Sequence, residues 1–365
     1  MKPIGVFDSG YGGLTVLKEF IKLLPQYDYL YLGDNARAPY GSRNYDTVYA
    51  YTLQCVEWFF RHECDLVILA CNTASAKALR TIQQNDLHRF GKGKRVLGVI
   101  RPTAEVIGHY SSSGHVGIFG TPGTVQSNSY VLEIEKFFPP VIISQEACPM
   151  WVPLVENNEY NKAGADYFIR HNIENLLGQD DQIDTVLLAC THYPVLEEKI
   201  RAHLPEKVKI VSQGEIVANS LADYLQRHPE IEEKCSRNGT RRFCTTGDKA
   251  DFDSHASLFF GSRVEAEHVD VDTLYAPSQG KRYGLPSTHI FDDTGKKRGE
   301  DLTRDEVRRV AEGFGPFGLL GDQFGEGNAW FPFDSDQSFW FYERAREIAA
   351  DPQCKWPTVF FGGYG

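Results

Sequence analysis

The sequence predicts an α/β protein made of two related halves, each with a mainly parallel sheet, and three observations carry that prediction. Its apolar runs are short and continuous rather than alternating, and helical patterns separate them, as expected for strands covered on both faces. The segment GVFDSGYGG (5–13) has an echo in GIFGTPGTV (117–125), 112 residues later. ACNTAS (70–75) has a second echo in ACTHYP (189–194), and its cysteines, Cys71 and Cys190, lie 119 residues apart. Two echoes in the same order at similar offsets argue for duplicated halves.

Taken in order, IGVF (4–7) is the first strand and enters a glycine-rich turn. The helix that follows places Leu14, Leu17, Ile21 and Leu24 on one face. YLYLGD (29–34) is a second strand, and LVILA (66–70) a third that leads into the helical ASAKALRTIQQ. RVLGVI (95–100) precedes another helical stretch, PTAEVIGHY. VGIFG (116–120), VIIS (141–144), TVLLA (185–189) and VKIVS (208–212) complete the predicted strands.

Composition excludes several function classes. A chain of 365 residues can hold two or more domains, and its net charge of −11 argues against a general nucleic-acid binder, which needs a basic face. No apolar run reaches membrane-spanning length, and the N-terminus meets an aspartate at Asp8 without a signal-peptide core. Eight cysteines without a CxxC pair suit neither a disulfide scaffold nor a structural zinc site, so no metal is expected. A cytoplasmic enzyme with reduced thiols is the expectation.

Ligands of open α/β sheets sit beyond the carboxyl ends of the strands, where Asp8, Ser9, Cys71, Thr121 and Cys190 all fall. Either cysteine alone also reads as a small core residue, the role assigned to Cys55, Cys64, Cys148, Cys235, Cys244 and Cys354. As a pair at helix starts, the two thiols are expected to have lowered pKa values. Asn72, Thr73, Thr191 and His192 can cap helices, contact a ligand, or do both. His192, two residues past Cys190, can exchange a proton with that thiol or be a structural histidine. Two thiols facing a carbon stereocentre from opposite sides can invert it, one removing a proton while the other supplies one. The developing carbanion then needs fixed donors on the neighbouring carboxylate. FDSGYGG is neither GxGxxG nor a Walker loop, and Asp8 would repel a phosphate; it fits a base partner or a receiver of a substrate ammonium.

With these residues assembled, the chain resembles the cofactor-independent aspartate/glutamate racemase family, glutamate racemases in particular. The matching segments are GVFDSGYGGLTVL, YLGDNARAPYG, ACNTASA, GVIRPT, Gly120–Thr121, VPLVE, ACTHYP and SQGEIVA, with an HVD near Asp270, so about 272 residues are covered. The resemblance implies two-base racemisation of L- and D-glutamate without a cofactor, supplying D-glutamate for bacterial peptidoglycan. Cys71 and Cys190 would be the catalytic thiols, Asp8 assisting the first and His192 the second, with Glu156 as a further helper. Substrate contacts would come from Asp8, Ser9, Tyr40, Gly41, Asn72, Thr73, Thr121, Thr191 and His192. It also implies two α/β halves around a cleft, 1–97 with 210–272 and 98–209, and a homodimer. An aspartate or other amino-acid racemase of the same fold, or a regulatory or binding protein that uses an inactive racemase fold through its C-terminal extension, are the competing readings.

Residues 273–365 have no counterpart in that family and read as a small α+β extension. Its 17 aromatic residues among 93 are too many for a disordered linker. A linker over 277–288, a capping box at Thr303 and Glu306 with Gly313 at the helix end, a helix over 339–351 and a terminal strand in VFFGGYG are expected. The extension is either a packing appendage or a partner-binding module.

Overall fold

The computed structural model describes residues 2–271 and two short strands further on. Ten strands lie in the first part: β1 (Ile4–Asp8), β2 (Tyr29–Gly33), β3 (Leu66–Leu69), β4 (Arg95–Gly98), β5 (His115–Gly120), β6 (Ile142–Ala147), β7 (Thr185–Ala189), β8 (Lys209–Val211), β9 (Arg241–Thr245) and β10 (Ala266–His268). They form a six-stranded sheet in the order β10-β9-β2-β1-β3-β4 and a four-stranded sheet in the order β6-β5-β7-β8. Every pairing in both sheets is parallel.

The two orders contain one pattern. β2-β1-β3-β4 and β6-β5-β7-β8 are the same arrangement of a second, first, third and fourth strand. β1 therefore corresponds to β5 and β3 to β7, which accounts for both sequence echoes. In each sheet the order reverses beside the first strand, between β1 and β3 and again between β5 and β7. Such a reversal leaves a crevice at the carboxyl ends, because the following segments leave toward opposite faces. Register makes the ends level: Phe7 pairs with Leu69, and Gly120 with Ala189.

Helices cover both faces, as the continuous apolar strands require. α1 (Leu14–Leu23) buries Leu14, Val16, Leu17 and Phe20, and α2 (Tyr45–Arg61) buries Val48, Cys55, Val56 and Phe59. Asn44 caps α2 by accepting from the Thr47 N–H at 2.8 Å. α3 (Asn72–Lys77) follows β3, α4 (Trp151–Glu156) follows β6, and α5 (Ala163–Gln179) packs Ile169, Ile173 and Leu176 into the same core as Val186 and Leu188. α6 (Gly214–Arg227) brings the chain back, its Val217 and Leu221 sharing a core with Leu14 and Leu17. α7 (Lys249–Phe260) lies between β9 and β10.

All eight predicted strands are present. β9 and β10 are two more that the sequence reading missed. RRFCT begins with two exposed arginines, and β10 is a three-residue edge strand, so neither shows an apolar run. Among the described residues no helix is long and apolar enough to cross a membrane.

The chain divides into two compact units, Met1–Leu274 and Tyr275–Gly365. In the second unit Leu319–Gly321 (β11) pairs antiparallel with Val359–Phe361 (β12), which lies in the predicted terminal strand. The expected linker, the capping box at Thr303 and Glu306 with Gly313, and the helix over 339–351 lie outside the described residues.

Asp28 ties the returning chain to the edge of β2. Its buried carboxylate accepts from Asn238 N (3.1 Å), Asn238 Nδ2 (2.7 Å), Thr240 N (2.7 Å) and Thr240 Oγ1 (2.7 Å). Burial pushes this carboxyl up, but the donors outweigh it and hold it well below its ordinary value. Stability from a depressed carboxyl is present above its ordinary value of 3.8 and is lost as the pH falls through the folded value. Asp28→Asn is therefore expected to cost about 1.5–3 kcal/mol at pH 7 and progressively less below pH 3.8, read from urea midpoints of the two proteins.

Candidate active site

The two crevices meet. Asp8, the last residue of β1, is fully buried and accepts from the Gly10 N–H at 2.9 Å and from Thr191 Oγ1 at 3.3 Å. Thr191 follows β7 in the other sheet, so this carboxylate bridges the two sets of strand ends. Thr15 Oγ1 adds a second bridge to the Thr191 carbonyl at 3.1 Å. Gly12 shows how tight the approach is. A Cβ there would lie 2.2 Å from Thr191 Oγ1 and 2.6 Å from His192 Nδ1, so no residue with a side chain fits without displacing them.

Cys71 ends the run after β3 and caps α3, its Sγ accepting from the Ala74 N–H at 3.4 Å. Ser9 Oγ lies 3.5 Å from the same sulfur. The expected lowering of this thiol's pKa is overturned. Burial, and then the Asp8 carboxylate, push Cys71 up to about 12, against the weaker help of Ser9 and the Ala74 N–H. A helix of six residues has too little dipole to compete with complete burial. Cys190 adds to the upward push, so the two thiols sense one another across the crevice.

Cys190 stands beside a different partner. It follows β7, and a tight turn closes with the Tyr193 N–H donating to the Cys190 carbonyl at 3.1 Å. Burial depresses the His192 imidazole, but hydrogen bonds to Cys190 and to Glu156 outweigh it and raise the pKa from 6.5 to about 10. The bond to Glu156, at the end of α4, is 3.0 Å from Nε2 to Oε1. Asp8 is itself raised by burial, an effect opposed by the His192 charge and the Gly10 and Gly13 N–H groups. Asp8, Ser9, Cys71, Glu156, Cys190, Thr191 and His192 are thus brought together.

The remaining predicted residues form a neighbouring wall. The hydroxyls of Thr73, Thr121 and Thr124 make a buried triangle, with separations of 3.0 Å (Thr73–Thr121), 3.0 Å (Thr121–Thr124) and 3.4 Å (Thr73–Thr124). Gly41 joins it, its carbonyl accepting from the Gly123 N–H at 2.8 Å. Tyr40 is buried with its hydroxyl donated to Asp34. Asn72 is engaged at both ends of its amide, donating to Gln213 Oε1 at 2.8 Å and accepting from Tyr130 Oη at 2.6 Å. Gln213 in turn donates to Tyr130 Oη (2.5 Å) and Thr103 Oγ1 (2.9 Å).

Thr124, Tyr130 and Gln213 were absent from the sequence reading of the site. Gln213 lies inside the quoted SQGEIVA segment, and a polar residue between two apolar runs was its available signal. Tyr130 gave none, being one aromatic on an amphipathic helix.

The arrangement places two sulfur atoms, each with its own proton partner, at matched positions of two duplicated sheets. Such a site can move protons at a carbon held between them. Comparisons with known proteins agree in extent and kind. The family model described as Asp/Glu/Hydantoin racemase matches residues 4–221. A glutamate racemase of Geobacter metallireducens is 38% identical over 263 residues, 72% of this chain and 94% of the relative. The solved glutamate racemase isoform RacE1 of Bacillus anthracis superposes with a TM-score of 0.67 at 35% identity, covering 74% of this chain and 97% of that one. A Francisella tularensis glutamate racemase, solved in complex with D-glutamate, gives 0.65 at 29% identity over 74% of this chain and 98% of its own. Because the match runs through the reversal points of both sheets, the chain belongs to the Asp/Glu/hydantoin racemase family.

Proposed function

We propose that this protein is a glutamate racemase that interconverts L- and D-glutamate with Cys71 and Cys190 as its two bases. The observation that carries the reading is the pairing of these thiols at equivalent strand ends, each beside a different proton partner. The division into halves, 1–97 with 210–272 and 98–209, is part of it, supported by the matching strand orders of the two sheets. The curated relatives are glutamate racemases, which favours glutamate over aspartate.

The chemistry follows from the surroundings. For the enantiomer whose α-proton faces Cys190, the protonated His192 imidazole beside it steadies the sulfur as a thiolate, which takes the proton on the substrate carbon. The electron pair of the broken C–H bond delocalises into the α-carboxylate, where hydroxyls and backbone N–H groups meet the growing charge. Cys71, kept as a thiol by burial and by Asp8, returns a proton to the opposite face. In reverse, Asp8 relieves Cys71 of its proton, and its raised pKa suits it to do so. Ser9, Thr73, Thr121, Thr191 and the Gly41 backbone serve as substrate contacts. No cofactor takes part. The reading extends to a cytoplasmic homodimer that supplies D-glutamate for peptidoglycan.

Proton NMR in D2O with L-glutamate and no added cofactor tests the reaction. The α-proton signal should disappear while circular dichroism of the same sample decays to zero, and L-aspartate should exchange far more slowly. Retention of both glutamate signals by folded protein would sink the reading. Cys71→Ser and Cys190→Ser are each expected to lower racemisation by at least ~10²-fold with folding intact, because serine is a far weaker base. A second prediction comes from His192. Its folded pKa of about 10 exceeds its ordinary 6.5, so its stabilising contribution is complete below pH 6.5 and is lost as pH rises through about 10. The gap in Tm between wild type and His192→Gln should therefore narrow steadily from pH 6 to pH 10.5.

A further inference from the structure

Helix α7 turns one stripe toward the site. Asp251, Phe252, His255 and Phe259 recur at helical spacing and surround Tyr11 of the glycine-rich turn. Tyr11 Oη donates to Asp251 Oδ2 at 2.5 Å, and its ring stacks on His255 and Phe259 with centroids 5.2 and 6.1 Å away. Phe259 is fully buried and continues to the imidazole of His192, with ring centroids 5.1 Å apart and planes at 77°.

The other boundaries of that imidazole are polar or empty of side chain. Glu156 holds Nε2, the Cys190 thiol acts on the ring's charge from the end of β7, and the missing side chain of Gly12 leaves Nδ1 against backbone. The Nε2 bond to Glu156 fixes one point of the ring, and a swing about that direction has to be resisted by packing against the ring. An edge-to-face aromatic contact blocks such a swing, because rotation would sacrifice both the ring packing and the quadrupole alignment.

We propose that Phe259 is a positioning residue for His192, its ring acting as the stop that keeps the imidazole aligned with Cys190. The inference rests on the racemase reading in one respect, that the charged His192 imidazole is the proton partner that steadies the Cys190 sulfur during proton transfer. Phe259 touches no reacting atom. The titratable groups facing the imidazole are Cys190 at the end of β7, Glu156 on α4 and Asp8 on β1, while α7 contributes Asp251 and His255 from behind Tyr11.

Phe259→Leu removes the ring and keeps apolar bulk; Phe259→Met is the second variant should leucine fail to fold. Phe252→Leu is the control, since its ring packs on Tyr11 and Tyr31 on the same helix. With glutamate, the Phe259 variant should lose roughly 3- to 10-fold in kcat with KM within about twofold, a loss the size of one aromatic pair contact. The control should lose comparable Tm and keep kcat within about twofold. In parallel, the His192 imidazole, identified by its absence in His192→Gln, is titrated by NMR. Wild type should titrate near 10, and the Phe259 variant should move toward 6.5 as the hydrogen bonds to Glu156 and Cys190 loosen. Unchanged kcat with an unmoved titration overturns the proposal. If wild type fails to racemise glutamate, the functional reading falls, and the titration alone decides whether Phe259 positions the ring.

Discussion

The site depends on how closely two separate sheets approach at Gly12, where the glycine-rich turn after β1 rests on the segment after β7 with no room for a Cβ beside Thr191 and His192. This contact lets the Asp8 carboxylate reach Thr191 and lets Thr15 reach the Thr191 carbonyl. It also closes one side of the His192 imidazole with backbone. Any side chain at Gly12 would have to displace the Thr191 hydroxyl and the His192 imidazole, the groups that link the two sets of strand ends. Packing between halves, rather than anything local to either cysteine, is what makes the cluster a site.

Given that approach, burial decides the electrostatics. Cys71 lies deep beside a carboxylate and is driven up to about 12, so its helix start adds little. His192 lies equally deep, yet two hydrogen-bond acceptors reverse the sign and drive its pKa up as well. Desolvation thus retains the proton on the thiol on one side, while on the other the imidazole keeps its proton against desolvation through its partners. Which group keeps its proton depends on whether its neighbours stabilise the charged or the neutral form. The duplicated backbone is symmetric, but its proton inventory is not.

The buried amide chain of Asn72, Gln213 and Tyr130 shows a second way in which the halves support each other. Asn72 opens α3 after β3, Tyr130 follows β5, and Gln213 precedes α6. Each polar atom in this chain faces an interior with little water, so an unpaired member would cost about 1–3 kcal/mol. That penalty holds the N-terminus of α3, and with it Cys71, in a fixed place relative to the second sheet.

Continuous apolar runs made eight strands legible, because a parallel strand buried on both faces has little choice of residue type. The duplication and the two cysteines were legible as well, since both halves use the same turn chemistry at the same strand ends. β9 and β10 were not, because an arginine-led strand and a three-residue edge strand carry no such constraint. The sequence by itself determined the α/β class, the paired thiols and Asp8 and His192 as candidate partners for them; Glu156 came only with the family resemblance. Only the tertiary structure decided that Cys71 is held as a thiol, that Gln213 and Tyr130 brace Asn72, and that Phe259 reaches His192. Each of these depends on burial or on contacts between residues far apart in the chain, and such distances exist only after the two sheets have packed.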